Sequence, residues 1–347
     1  MKSRILSPQE PTYTRVPEEE SGTIKQQQHN RSPLPKHCLV IILVLVAILT
    51  ACLCARWTLS PSQSQIPRRE WRTLTTPEKH EYLTAVSCLQ TKTSRLGLNH
   101  TLYHDFPYVH SRVGQYVHDA APFLAWHRYY IHIYESALKH EWNYTGTMPF
   151  WNWQLDWKDI TKSPIWSTDH GFGTTGDPER SLDTILNGHC VVDGLFADIV
   201  IPYLDEKFYP HCLSRGFAQG EELRNLSMML SPETIEDLLD LDEYDAFNLG
   251  MEHGPHLAIP RSIRGDFSLL TAPSDPVFFL HHAQLDRLWW KWQLLHPQKR
   301  WEYSGLAKHG LRESASVEDL LLVERIAGDV KVEEVLDTHG ALFCYRY

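Results

Sequence analysis

A chain of 347 residues, 42% of them hydrophobic, is long enough for one large folded domain or two smaller ones. A formal charge of −10 with no basic stripe excludes nucleic acid as an expected partner. Histidine is abundant at 20 residues, so the spacing of the histidines decides whether a metal site is present.

Residues 1–37 are polar, carry the runs EEE and QQQ, and read as a disordered cytosolic tail. Residues 38–55, CLVIILVLVAILTACLCA, are uncharged and apolar throughout, which predicts a transmembrane helix. The run starts too late and is too long for the apolar part of a cleaved signal peptide. Lys25, Arg31 and Lys36 before it balance Arg56, Arg68 and Arg69 after it, so flanking charge leaves the orientation open. Three glycosylation sequons beyond the span, at Asn99, Asn143 and Asn225, favour a lumen, as do four cysteines in the same part of the chain. The expectation is a single-pass protein with its folded domain in the secretory lumen or outside the cell. Of the three possible disulfide pairings, Cys190–Cys212 would close a local loop and Cys88–Cys344 would tie the ends together. Residues 56–75 read as a polar stem, within which Arg68-Arg69 is either an exposed pair or a dibasic processing site.

From residue 76 the pattern is mainly helical. Thr76-Pro77 suits a helix start for residues 76–90. In residues 127–142, His127, Ile131, Tyr134 and Leu138 make one stripe. Residues 147–157, TMPFWNWQLDW, lead into the core, residues 160–225 are loop-rich, and SPETIEDLLDL (231–241) is a capped helix. Residues 271–297 form the clearest helix, capped by Ser274 or Asp275, with His282, Leu285, Trp289 and Trp292 on one face. Both of the best helices thus begin their inward stripe with a histidine.

His110, His118 and His127 are separated by eight and nine residues, a spacing that suits two loop histidines and one helical histidine converging on an ion. His256 and the His281-His282 pair are placed to supply a second. Imidazole-only ligation suits copper or zinc, and neither HExxH nor a cysteine-based zinc pattern is present.

HDAAPFLAWHRYYIHIYE (118–135) and DPVFFLHHAQLD (275–286) resemble both signatures of the tyrosinase, or type 3 copper, family, which also includes catechol oxidases and haemocyanins. PFWNW (149–153) and the ending CYRY extend the resemblance over residues 76–347. It is strongest to membrane-anchored or secreted fungal members, some of them in secondary-metabolite and cyclic-peptide pathways. The resemblance implies a mainly α fold: a four-helix bundle around a binuclear copper site with a loop-rich periphery. It implies two copper ions, O2 as co-substrate, and a phenolic substrate such as tyrosine, free or within a peptide. Carried over by position, His110, His118 and His127 bind the first copper and His256 and His282 the second. His281 stands beside the site, and Asp286, with Arg128 and Glu135, looks like a structural ion-pair position that orients a ring nitrogen or pairs with an arginine.

Two residues depart from the pattern. Aligning RGD (264–266) with the family's corresponding segment puts the third ligand of the second copper at Pro260, which has no imidazole and no amide for the His256 carbonyl. An interrupted helix is expected there. The expectations are then a substitute from His253, His296 or His309, a second copper with two protein ligands, or no second copper. Leu257 stands where many phenol-hydroxylating members carry asparagine. No cysteine lies between Cys88 and Cys190, so no thioether to a first-site histidine is expected. The rival expectation is an inactive relative that binds a peptide or a partner.

Overall fold

Asp286 is the point at which both ends of the described domain and two long helices meet. The structure, a computed structural model, describes Leu45 and residues 66–179 and 185–347. The expected tail, the apolar run apart from Leu45, and the stem up to residue 65 lie outside the described residues. Among the described residues no helix is long and apolar enough to cross a membrane.

The helices are α1 (Thr76–Leu89), α2 (Leu102–Val117), α3 (Pro122–Trp142), α4 (Gly220–Met228), α5 (Pro232–Leu239), α6 (Tyr244–Met251), α7 (Leu257–Ile263), α8 (Val277–Leu295) and the short α9 (Val332–Val335). Helix α3 is central, packing against α1, α2 and α8. Helix α2 also packs on the turn Ala272–Ser274 that feeds α8. The remainder is short: every described sheet has two strands, and long connections wrap the bundle. A mainly helical fold with a loop-rich periphery is therefore present.

Local chemistry explains the helix ends. A reciprocal capping box starts α1: the Thr75 amide donates to Glu78 (2.7 Å) and the Glu78 amide donates to Thr75 Oγ1 (3.4 Å), with Pro77 in the first turn. The cap thus lies one residue before the Thr76 expected from sequence. Helix α3 stops at Asn143, which adopts the left-handed conformation at φ 54°. Asp275 caps α8 by accepting the Val277 amide at 3.1 Å, and its carboxylate also pairs with the buried Arg215 at 2.6 Å. Trp71, Trp126, Trp151, Trp153, Trp289 and Trp292 are all fully buried and serve as packing.

The stem expectation is corrected in its second half. Ile66–Pro67 pairs in parallel with Tyr345–Arg346, and the Arg68 side chain is completely buried. Its guanidinium lies 2.7 Å from Glu135 on α3, 3.2 Å from Asp286 on α8, and 3.6 Å above the Tyr345 ring. Arg68 is therefore neither an exposed arginine nor an open processing site. Asp286 also takes the Arg128 Nε–H and the hydroxyls of Tyr345 and Tyr347. All of its described partners are arginines and tyrosines, so it orients no imidazole directly.

The cysteines divide. Cys190 and Cys212 are bonded, with their Cα atoms 5.4 Å apart. The expected Cys88–Cys344 bridge is absent, and both thiols are half-buried. Cys88 faces the Glu141 carbonyl near the end of α3, whereas Cys344 lines a cleft beside His132 and Glu135, further back along that helix. The tie between the ends of the described domain is made by strand pairing and the buried ion cluster. The three sequon asparagines are all exposed.

Burial alone would raise the Glu135 carboxyl, but Arg68 and Lys139 outweigh it and hold it at about 2. Its stabilising effect is complete above the ordinary carboxylate value of 4.5 and is lost as pH falls toward about 2. Arg68→Met should lower unfolding stability by about 3–5 kcal/mol, because it strips a partner from buried carboxylates. It should also move acid unfolding to higher pH, while Arg69→Ala leaves the denaturation midpoint unchanged. Urea and pH titrations followed by circular dichroism check both outcomes.

Candidate metal centre

Two helices and one helix end carry the first group of histidines. His110 lies on α2, His127 on α3, and His118 is the residue that ends α2. His110 was expected on a loop because eight residues do not return to one helix face. The chain solves this by breaking at His118, which is extended at ψ 155° and folds its ring back so that Nδ1–H donates to the Gly114 carbonyl at 2.7 Å.

All three rings use Nδ1 in this way. His110 donates to the Leu270 carbonyl at 2.6 Å and His127 to the Phe123 carbonyl at 2.7 Å. A neutral imidazole with its proton on Nδ1 has only a lone pair on Nε2. Yet His110 Nε2 and His127 Nε2 are 3.2 Å apart, two acceptors facing each other inside the protein. A proton does not relieve this near neutral pH, since burial and the His118 ring push His110 down to about 3. Burial also lowers His118 and His127. A metal cation satisfies both lone pairs at once. One ligand atom each from His110, His118 and His127 lies within 4.8 Å of the others.

The second group forms against the first. The His282 ring, on α8, stacks on His127 with centroids 4.1 Å apart and planes 14° apart. His256 sits 5.2 Å from His282 and 5.6 Å from His118, centroid to centroid. It ends a π-helical turn, Glu252–His256, that leads into α7. The helix does not break at Pro260 as expected: the wide turn precedes it, and α7 continues to Ile263. The bond lost to proline is the one that would have reached the His256 carbonyl. One ligand atom each from His256, His281 and His282 lies within 4.8 Å of the others.

None of the expected substitutes for residue 260 joins this group. His253 Nε2 pairs with Asp119 at 2.6 Å on the rim, His296 Nε2 meets the Leu239 carbonyl at 2.8 Å, and His309 lies 3.8 Å from Asp119. His281, expected beside the site, has a ring nitrogen within this 4.8 Å group. Five ring nitrogens here, on His256, His281 and His282, are buried without a hydrogen-bond partner. Each such group costs on the order of 1–3 kcal/mol unless something else satisfies it.

A cavity of about 280 Å³ opens onto both groups, with His118, His256 and His282 on its inner side and Leu257, Pro260 and Phe278 among its apolar walls. The Phe278 ring lies 4.1 Å from that of His282. Glu252 also lines the cavity and went unnoticed in the sequence, although it precedes His256 by one helical turn. Its carboxylate accepts the Asp119 amide at 2.9 and 3.0 Å, and burial pushes it up to about 8.

The common central domain of tyrosinase matches residues 100–295. The chain belongs to the tyrosinase family. Tyrosinase-like protein phomQ1 of Diaporthe leptostromiformis is 39% identical over 90% of this chain and 89% of that protein. Tyrosinase ustQ of Aspergillus flavus is 37% identical over 84% of this chain and 81% of its own length. The fold is similar to a variant polyphenol oxidase from Thermothelomyces thermophila, with a TM-score of 0.72 and 27% identity over 82% of this chain and 88% of that one. Tyrosinase-family proteins bind copper, and two buried groups of neutral imidazoles with facing lone pairs fit that ion.

Copper should raise the thermal unfolding midpoint of the metal-free chain, because only the folded state gathers these nitrogens. His127→Gln should abolish binding at the first group without unfolding the bundle, while His170→Ala leaves binding unchanged. Differential scanning calorimetry with and without copper checks this.

Proposed function

We propose that this tyrosinase-family chain is a copper-dependent oxidoreductase that oxidises a phenol or catechol ring, of tyrosine free or within a peptide, with O2. Two ions are proposed, the first on His110, His118 and His127 and the second on the group containing His256 and His282. The observation that carries the reading is the stacking of His127 on His282 at 4.1 Å, which joins the two imidazole groups below one apolar cavity.

Bound copper supplies one-electron changes in a pair, matching the two electrons withdrawn from a diphenol ring. The protein's own part is positioning. Phe278, Leu257 and Pro260 admit a flat ring to the imidazole floor and limit water there. Glu252, anchored by the Asp119 amide, is the wall group able to hold a proton near neutral pH. Leu257 offers no amide to position a water beside that carboxyl, which favours oxidation of a diol over hydroxylation of a phenol. A module that bound only a peptide or a partner would leave the buried nitrogens of His256, His281 and His282 without a role.

The proposed setting is fungal secondary metabolism or cyclic-peptide biosynthesis, with the apolar run 38–55 as a single membrane anchor. The Cys190–Cys212 bond and the exposed sequons at Asn99, Asn143 and Asn225 support a domain in the secretory lumen or outside the cell.

Oxygen uptake by the copper-loaded chain should be faster with a catechol than with a tyrosine peptide. His127→Gln and His282→Gln should each abolish it, and Leu257→Asn should raise the phenol-to-catechol rate ratio. A copper-loaded chain that takes up no oxygen with any diphenol would rule the proposal out.

A further inference from the structure

We propose that His281 is the third protein ligand of the second copper, replacing the imidazole that residue 260 lacks. The inference rests on the copper function proposed above and specifies how its second ion is held.

The first observation is position. His256, His281 and His282 are the three histidines whose ligand atoms gather within 4.8 Å at this end of the site. Neighbouring residues on a helix point about 100° apart. His282 therefore faces the first group, stacked on His127, while His281 faces His256, its ring 5.7 Å away and inclined by 18°. The two adjacent side chains of α8 thus address the space below His256 from two directions.

The second observation is the state of the ring. His281 is 0% exposed, and neither of its nitrogens makes a hydrogen bond. A metal-ligating histidine commonly commits one ring N–H to a carbonyl or carboxylate and leaves the other nitrogen for the ion. His110, His118 and His127 each show that carbonyl bond. The His256 carbonyl, released by Pro260, is the acceptor placed to fix one nitrogen of the His281 ring in the same way. The other His281 nitrogen is then buried with only the ligand group around it.

The third observation is the lack of a competitor. His253, His296 and His309 are engaged with Asp119, the Leu239 carbonyl and Asp119 respectively. Pro260 stands in the cavity wall beside Leu257. The ligand has moved from α7 to α8, and the place an imidazole would have filled belongs to the substrate cleft.

The test uses the full chain loaded with Cu(II). His281→Cys should create a thiolate-to-copper charge-transfer band, which appears only if side chain 281 touches the metal; wild type, with Cys88 and Cys344 free, provides the blank. His281→Gln should lower bound copper from about two ions per chain to about one, and adding Pro260→His to that variant should restore the second. The double variant separates ligand loss from a folding defect. If the Cys variant binds two ions without the band, or the Gln variant binds two with unchanged affinity, His281 is not a ligand and the copper function stands. If wild type binds fewer than two, the two-copper reading fails and this inference fails with it.

Discussion

Neutral imidazoles cannot satisfy one another once each has given its only proton to a backbone carbonyl. That constraint governs the interior of this domain. The Nδ1 donors of His110, His118 and His127 are fixed by the Leu270, Gly114 and Phe123 carbonyls, so their Nε2 lone pairs have nothing to accept. In water such lone pairs would be solvated; here they are gathered beside one cavity, where a cation can take several of them at once. The surrounding fold serves to hold this electron-rich cluster together.

The helices that carry the ligands also carry the charges that set their register. His127 is followed on α3 by Arg128, and His282 precedes Asp286 on α8 by one turn. The buried Arg128–Asp286 pair therefore fixes α3 against α8 within one helical turn of the His127–His282 stack. Arg68 then crosses from the beginning of the domain to bind Glu135 and Asp286, while Tyr345 and Tyr347 reach Asp286 from its end. Displacing either chain end would disturb the pairing of α3 with α8, and through it the spacing of the metal ligands. A buried ion cluster is costly to assemble, but partial removal costs more, which makes it suited to fixing a register.

His118, His127 and His282 were legible in the sequence because each lies inside a long motif with helical periodicity around it. The helical core and the Cys190–Cys212 bond were legible for similarly local reasons, namely caps, stripes and a short loop. What escaped was set by tertiary geometry. The helical position of His110 depends on a chain reversal at His118, and the continuity of α7 through Pro260 depends on a π turn that periodicity does not reveal. Arg68 looked exposed because its carboxylate partners lie far along the chain, at positions 135 and 286. Cys88 and Cys344 were paired because a bridge would tie the ends together, but they lie against different parts of α3, and Glu252 became visible only when its burial beside the cavity was seen.

Both departures, Pro260 and Leu257, line the same cavity. They present apolar surface there, beside the imidazoles of His256 and His282. The central claim, that two adjacent imidazole groups hold a copper pair, is tested most directly by X-ray absorption at the copper edge on the loaded chain. The account predicts an imidazole-dominated nitrogen shell and back-scattering from a neighbouring copper. A single isolated copper in an oxygen-rich shell would contradict it.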